Sequence, residues 1–432
     1  MPTPRCSVEL VRMILEYLDG GQWFSVKTDT LGACSRVCRT WKDIAQPILC
    51  RRIHLYTHER FDLFHDFLQA NARIASFMHE LVFSVSFSED LYPLPPWLLL
   101  EILKTTPNIR CVCLQGITLL GWPLYTPMPP VPFKLHRLVI SDIQNGPYHN
   151  EHCARLDFLR LFTDVDELVI AGSTIGVESD SDDDSERGSK MTANRRGIPQ
   201  PVVRKLSIAD PDCFLEYNDK CGGLDRAALQ TLDVVADNRV AVRYAGKMLR
   251  RYGANIRDLR LNLCHAVKVH KPKDARIWKG LEMGKLTTVA RLTLHVRANT
   301  DNTNWEREEM DREFCKAYTA VLSAVPTGTL RELTLLVPIP QEEDAFFTLA
   351  QSLAAIMSLA VERFSTLSTI VLVVSRKLTF DQCAAILCKA LPAQVLDRDI
   401  IRFEYWGLKY IGLGIGARFT VAHLSLVWLV SP

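Results

Sequence analysis

Side chains of the types that bind metals gather once in this chain, in the run His149-Asn-Glu151-His152-Cys153. Histidine, cysteine and carboxylate side chains are the usual ligands of zinc, which needs about four of them. No second pair stands at zinc-site spacing, and the run directly follows Gly146-Pro147. We therefore interpret it as a surface loop and expect no metal.

Two cysteine pairs are candidates for redox chemistry, and one glycine-rich run is a candidate for dinucleotide binding. Cys34 and Cys38 share a predicted helical face within an apolar stripe, so we interpret them as packing residues. Cys111 and Cys113 alternate along a predicted strand without a redox motif. The run Gly412-Leu-Gly-Ile-Gly416 lacks the strand, helix and later acidic residue of a dinucleotide loop. We predict no catalytic residue and no cofactor.

The remaining polar side chains of interest belong to a repeated six-residue pattern. It reads apolar, two polar, apolar, polar, apolar, and is clearest at Leu330-Arg-Glu-Leu333-Thr-Leu335. Its last three apolar-polar-apolar positions alternate with period two, which predicts a strand with one buried face. The fourth positions of eleven copies are Leu81, Val112, Leu138, Leu168, Leu206, Leu232, Leu259, Leu292, Leu333, Ile370 and Phe403.

Helical segments between the copies predict how the strands are joined. We expect helices over residues 96–106, 151–162, 240–252, 306–325 and 341–364. Strand, helix and strand in one sheet imply parallel strands with right-handed crossovers. Residues 56–408 therefore resemble an irregular leucine-rich-repeat solenoid, which implies an α/β fold with parallel strands on the concave face and helices outside. A flat α/β sheet is the alternative geometry.

In that repeat geometry, the side chains that flank each central apolar residue face away from the core. Charge combined with one large aromatic residue suits recognition of a protein surface, and an ordinary solvated face is the alternative. The predicted target-binding residues are Asp258, Arg260, Asn262, Arg291, His295, Glu332, Arg402, Glu404 and Trp406.

Residues 5–55 form a separate helical block. Ser7 is placed to cap a first helix with a stripe of apolar residues through Leu18. We expect a second helix from near Leu31 through Trp41, and a third over 44–48 that Pro47 interrupts.

The block resembles an F-box, as in F-box proteins of mushroom-forming fungi. The matching segments are Val8-Glu-Leu10, Ile14-Leu15-Glu-Tyr-Leu18, Cys34-Ser-Arg-Val37-Cys38-Arg-Thr-Trp41 and Arg51-Arg-Ile53. The resemblance implies binding to the Skp-type adaptor of a cullin ligase core. A helical cap on the first repeat is the alternative. The residues expected to contact the adaptor, or to pack behind the contact, are Leu10, Ile14, Leu15, Leu18, Leu31, Val37, Cys38 and Trp41.

Two segments depart from the rest in composition. Gly176–Gln200 is acidic and then basic, so we predict a disordered insertion. Within it, Ser179 and Ser181 each have an aspartate three residues on, as in acidophilic kinase sites. Residues 409–432 are apolar, but Arg418 and His423 interrupt them and the remaining apolar run is too short to span a bilayer. We therefore interpret this segment as a cap or tail.

Composition limits the function classes. The chain has 432 residues, 13 cysteines and a formal charge of +2, which gives no electrostatic case for nucleic acid or a membrane. An odd number of cysteines favours free thiols and a cytoplasmic or nuclear location. The sequence thus predicts a substrate-recognition subunit of a Skp–cullin–F-box ubiquitin ligase. An interaction scaffold without a ligase is the alternative, and an enzyme ranks third.

Overall fold

The computed structural model describes residues 7–19, 24–56, 61–84, 93–119, 133–141, 144–145, 156–171, 200–209, 214, 223–236, 238–263, 276–296, 304–337, 343–374, 380–398 and 400–405. The chain forms two compact units, one up to Pro201 and one from Val202. Several predictions concern residues outside these ranges: the His149–Cys153 run, the insertion at 176–199 with Ser179 and Ser181, Trp406, and residues 409–432.

The first unit begins with three helices, α1 (Val8–Asp19), α2 (Phe24–Ser35) and α3 (Arg39–Leu49). The Ser7 hydroxyl oxygen accepts a hydrogen bond from the Leu10 backbone N–H at 3.2 Å, which confirms the predicted cap. The helices enclose a small core, whose buried members are Val11, Leu15, Leu31 and Ala45.

Three details of this helical block differ from the predictions. Helix α2 ends at Ser35 and α3 begins at Arg39, so Trp41 lies on the third helix rather than the second. Pro47 does not interrupt α3, which continues to Leu49 although proline removes one backbone N–H donor. Cys38 is exposed at the N-cap of α3 and is not a packing residue.

The rest of the first unit alternates strands and helices. Its larger sheet has five parallel strands in the order β1-β2-β4-β6-β8, and a small sheet joins β3, β5 and β7. The elements are β1 (Arg52–Tyr56), α4 (Phe61–Ala70), α5 (Ala72–Ala75), β2 (Glu80–Ser84), β3 (Pro93–Leu94), α6 (Pro96–Thr105), β4 (Cys111–Gln115), β5 (Thr118–Leu119), β6 (Phe133–Ser141), β7 (Gln144–Asn145) and β8 (Phe162–Ala171). A 3₁₀ helix, Asp157–Leu161, stands where part of a longer helix was expected.

The second unit continues the alternation with seven parallel strands in chain order, β9 to β15. Its elements are β9 (Val202–Ile208), β10 (Thr231–Val235), α7 (Arg239–Tyr252), β11 (Asp258–Asn262), α8 (Arg276–Lys279), β12 (Arg291–His295), α9 (Asn304–Ala324), β13 (Glu332–Leu336), α10 (Glu343–Arg363), β14 (Thr369–Val374), α11 (Phe380–Ala390), α12 (Ala393–Leu396) and β15 (Ile401–Tyr405).

Each of the eleven predicted repeat copies is a strand, and β1 adds a twelfth. The fourth positions lie opposite one another, as Leu259 does to Leu292 and Leu292 to Leu333. The last copy is an exception, since Ile401 rather than Phe403 lies opposite Ile370. Alternation with period two fits either residue, so the pattern alone does not set the register. The parallel strands with intervening helices are consistent with a solenoid-like arrangement.

Gly246 on α7 lies very close to the backbone that directly follows α8. A Cβ atom at this position would lie 1.7 Å from the backbone oxygen of Gly280 and 2.8 Å from its carbonyl carbon. We expect Gly246→Ala to lower the free energy of unfolding by about 2 kcal/mol, because backbone must move to make room. Urea unfolding would measure this loss. The matched control is Gly32→Ala on α2, where nothing lies within 4 Å of the added Cβ. Equal stability of wild type and Gly246→Ala would contradict the prediction.

Candidate functional site

Helix α1 is apolar on two sides. Val11 and Leu15 are buried in the small helical core. Other large apolar side chains of the same helix remain exposed, with Ile14 at 43% and Tyr17 at 84% of their full accessible area. We call the exposed set at helical spacing the α1 stripe; its members are Leu10, Met13, Ile14 and Tyr17. An uncovered apolar stripe of this kind marks a partner site more often than a bare surface.

Exposed apolar residues extend beyond the stripe. Val8, at the start of α1, is exposed, and Val37, in the connection between α2 and α3, is 64% exposed. The helical block therefore has a core too small to use all of its apolar residues, and the remainder stays exposed on its surface.

Residues 8–56 match the F-box-like family. The F-box-like domain comprises α1, α2, α3 and β1, so it includes both the helical core and the α1 stripe. A domain of this family implies binding to a Skp-type adaptor in general. The comparison with curated proteins gives no match for the chain.

The structure describes the side chains of seven of the eight residues predicted for the adaptor contact. Leu10, Ile14, Val37 and Cys38 are exposed, whereas Leu15 and Leu31 are fully buried behind them. Trp41 is half-buried and packs against the core. The surroundings of the Leu18 side chain fall outside what the structure describes. The direct role of each residue in adaptor binding stays a prediction.

Sequence reasoning missed Met13 and Tyr17 as surface candidates. They lie three and seven residues after Leu10, on the same side of the helix. The available signal was the number of apolar residues in α1, which exceeds what one buried stripe requires.

The second candidate site is a groove of about 340 Å³ that crosses β11 to β15. The residues that line the groove are Asp258, Leu259, Arg260, Arg291, Thr293, Glu332, Thr334, Thr369, Val371, Arg402 and Glu404. Three of these side chains are basic and three are acidic. The groove as a whole is therefore no simple anion or cation site.

A first row of groove residues runs across the strands and consists of Asp258, Arg291, Glu332 and Thr369. Arg291 donates hydrogen bonds from Nε and Nη2 to the Asp258 carboxylate. That bond, together with the charges of Asp258 and Glu332, raises the pKa of Arg291. Thr334 donates to the Glu332 carboxylate at 3.3 Å. Arg291 thus compensates Asp258, and the first row keeps one net negative charge, on Glu332.

A second row lies two residues further along each strand and consists of Arg260, Thr293, Thr334, Val371 and Arg402. The Nη1 atom of Arg260 is shielded from solvent and has no hydrogen-bond partner among the described residues. Arg402, at the other end of the row, is exposed. Small or β-branched side chains separate the two arginines.

Asn262 and His295 were predicted to be exposed on the concave face, and this prediction is wrong. Their side chains are buried, with relative exposures of 9% and 5%. His295 lies opposite Leu336 and begins a third row, in which Leu336 and Val373 are fully buried and form a cluster with Val371. This end of the sheet face is therefore interior. Burial lowers the pKa of His295 to about 4, and the nearby Arg260 charge adds to the effect.

Outside these two sites, the metal-ligand side chains, the cysteine thiols and the helices give no sign of further chemistry among the described residues. Within the described ranges, no three His, Cys, Asp or Glu side chains are placed to hold a metal ion. Burial raises the pKa of the Cys113 thiol to about 11 and also raises that of Cys111, so both thiols are poor nucleophiles. None of the described helices combines the length and apolar character needed to cross a membrane.

Proposed function

We propose that this protein is a substrate-recognition subunit of a Skp–cullin–F-box type ubiquitin ligase. Its F-box-like domain would bind the Skp-type adaptor, and its array, of leucine-rich-repeat type, would bind a target protein. The observation that carries the proposal is the exposed α1 stripe within a domain that matches the F-box-like family.

The α1 stripe supports the proposal on physical grounds. Leu10, Met13, Ile14 and Tyr17 lie at helical spacing and can be covered together by one partner surface. Leu15 of the same helix packs with Leu31 in the core of the block. Proteins with an F-box domain are generally non-enzymatic. In the proposed role the protein would act by holding its target close to a conjugating enzyme, which raises the effective concentration of the target.

Co-expression of the full chain with a Skp-type adaptor tests this function. We expect the two proteins to co-purify as a complex that survives size-exclusion chromatography. A known F-box protein serves as the positive control under the same conditions. If that control binds the adaptor and this protein does not, the ligase role is wrong.

A second candidate function is an interaction scaffold in which the helical block only caps the array. It is favoured by β1, which pairs with β2, and by an ion pair between Asp43 of α3 and Arg73 of α5 at 2.9 Å. The cap function predicts that removing residues 1–55 unfolds the array and that no adaptor co-purifies. Adaptor binding by the intact chain therefore separates the two functions. We also propose that the protein acts in the cytoplasm or nucleus, because its odd number of cysteines favours free thiols and a reducing compartment.

A further inference from the structure

We propose that the groove binds an extended acidic segment of the target, with two acidic side chains five or six residues apart that meet Arg260 and Arg402. The inference rests on the proposed function, because it specifies the chemistry of the target that the array would recognise. Two observations support it. Some charged side chains of the groove already have partners, and the two arginines that have none lie a definite distance apart.

The acidic groups of the groove are already engaged. Asp258 accepts two hydrogen bonds from Arg291, and Glu332 accepts one from Thr334 and lies beside Arg291. Glu404 also has an interaction of its own. Among the described residues, Arg260 and Arg402 have neither a hydrogen bond nor an ion pair through their guanidinium groups. The charged donors that lack an acceptor among the described residues therefore lie at the two ends of the groove, although the groove as a whole has three basic and three acidic side chains.

Arg260 is the stronger anchor of the two. Its Nη1 atom is cut off from water and has no acceptor, which is unfavourable for a charged donor. The carboxylate opposite on β10 does not supply one: Asp233 is buried, but it forms neither a hydrogen bond nor an ion pair with Arg260. His295 is neutral because burial lowers its pKa to about 4. A carboxylate or phosphate from a ligand would supply the acceptor and a charge-assisted bond.

Strand spacing sets the length of the ligand. Arg260 on β11 and Arg402 on β15 belong to the same row and are separated by four strand intervals. Neighbouring strands lie about 4.8 Å apart, so the two arginines are about 19 Å apart, and an extended peptide covers that distance in about six residues. The reach of the arginine side chains allows about one residue less.

The floor of the groove suits a peptide backbone. Between the two arginines it presents Thr293, Thr334 and Val371, side chains short enough to let a chain lie across the strands. The volume of about 340 Å³ is too small for a folded domain, and it would take the side chains and only part of the backbone of a single extended segment. An extended acidic peptide is therefore a better fit than an acidic patch on a globular surface.

Fluorescence anisotropy with the full chain and labelled synthetic peptides tests the proposal. The probes are glycine–serine peptides of about twelve residues that carry two aspartates at separations of two, five, six or nine, and asparagine counterparts. We expect the separations of five and six to bind about tenfold more tightly than the others and than the asparagine peptides. A phosphoserine series shows whether carboxylate or phosphate is the preferred anion.

Variants tie the effect to the two arginines. Arg402→Gln should weaken the five- and six-spaced peptides about tenfold, and because Arg402 is exposed the fold should tolerate it. Arg260→Gln should do the same, with circular dichroism as a check on folding. Arg257→Gln, an exposed arginine just before β11 that does not line the groove, should change nothing. Binding that ignores spacing or survives Arg402→Gln, or no binding of any acidic peptide, overturns the inference.

Adaptor co-purification on the same preparations separates this inference from the proposed function. If the adaptor binds and the spaced peptides do not, only the acidic-segment inference is lost. If the spaced peptides bind and the adaptor does not, the groove keeps its assignment and the ligase role falls.

Discussion

An Ile14→Asp substitution is expected to weaken binding of the Skp-type adaptor about 100-fold, which corresponds to about 2.8 kcal/mol. Ile14 lies within the α1 stripe and is 43% exposed, so the fold can accept a charge there while the side chain remains in water. Under an adaptor the same carboxylate would lose its hydration without gaining a partner. Isothermal titration calorimetry of the purified chain with the adaptor would measure the loss.

Two further variants separate contact from folding. Leu63→Asp on α4 places the same charge at a residue that is 56% exposed and lies outside the F-box-like domain, so it should leave adaptor affinity unchanged. Leu15→Asp should abolish binding by disrupting the helical core, with a matching loss of helical circular dichroism. If Ile14→Asp binds the adaptor as tightly as the wild type, the α1 stripe is not the adaptor surface.

The N-terminal block shows how far sequence alone could lead. The cap at Ser7 and the apolar stripe around Val11 and Leu15 were sufficient to predict α1 and its buried side. They could not reveal that Met13 and Tyr17 would stay exposed, because this depends on where α2 and α3 pack. A short helix with apolar residues on both sides has no unique buried face until its neighbours are known.

In the repeat strands, the sequence pattern predicted where each strand lies, but not its register or which of its polar residues are buried. The apolar fourth positions predicted each strand, because alternation with period two survives wherever one face is buried. The same pattern could not set the register of β15, since Ile401 and Phe403 both satisfy it. The pattern also could not show that Asn262 and His295 would be buried, because their exposure depends on what covers the sheet face to which they belong.

Charges beside the strands also needed the structure before they could be interpreted. In the first unit, Arg52 pairs with Glu80 at 3.3 Å and Arg137 with Glu167 at 3.1 Å, each between neighbouring strands. Asp258 and Arg291 repeat this arrangement in the second unit. Charged residues at this position therefore serve largely to join adjacent strands. Arg260 and Arg402 lie in the row two positions further along the strands, and they are the residues that we propose for the ligand.

His295 is expected to make the stability of the array sensitive to acid. Its pKa in the folded chain is about 4, below its ordinary value of 6.5. Between these two values the unfolded chain binds a proton at this residue and the folded chain does not, so stability falls as pH decreases. The loss begins near pH 6.5 and is complete below pH 4. Over the whole window it amounts to about 3 kcal/mol, at about 1.4 kcal/mol for each unit of pKa.

Urea unfolding at pH 7 and pH 4.5, with the wild type and a His295→Gln variant, isolates this contribution from that of the carboxylates. The variant should lose about 2.5 kcal/mol less than the wild type between the two pH values, because glutamine has no proton to bind. Equal losses for the wild type and His295→Gln would mean that His295 accepts its proton in the folded state, so the interior at the third row would admit a charge.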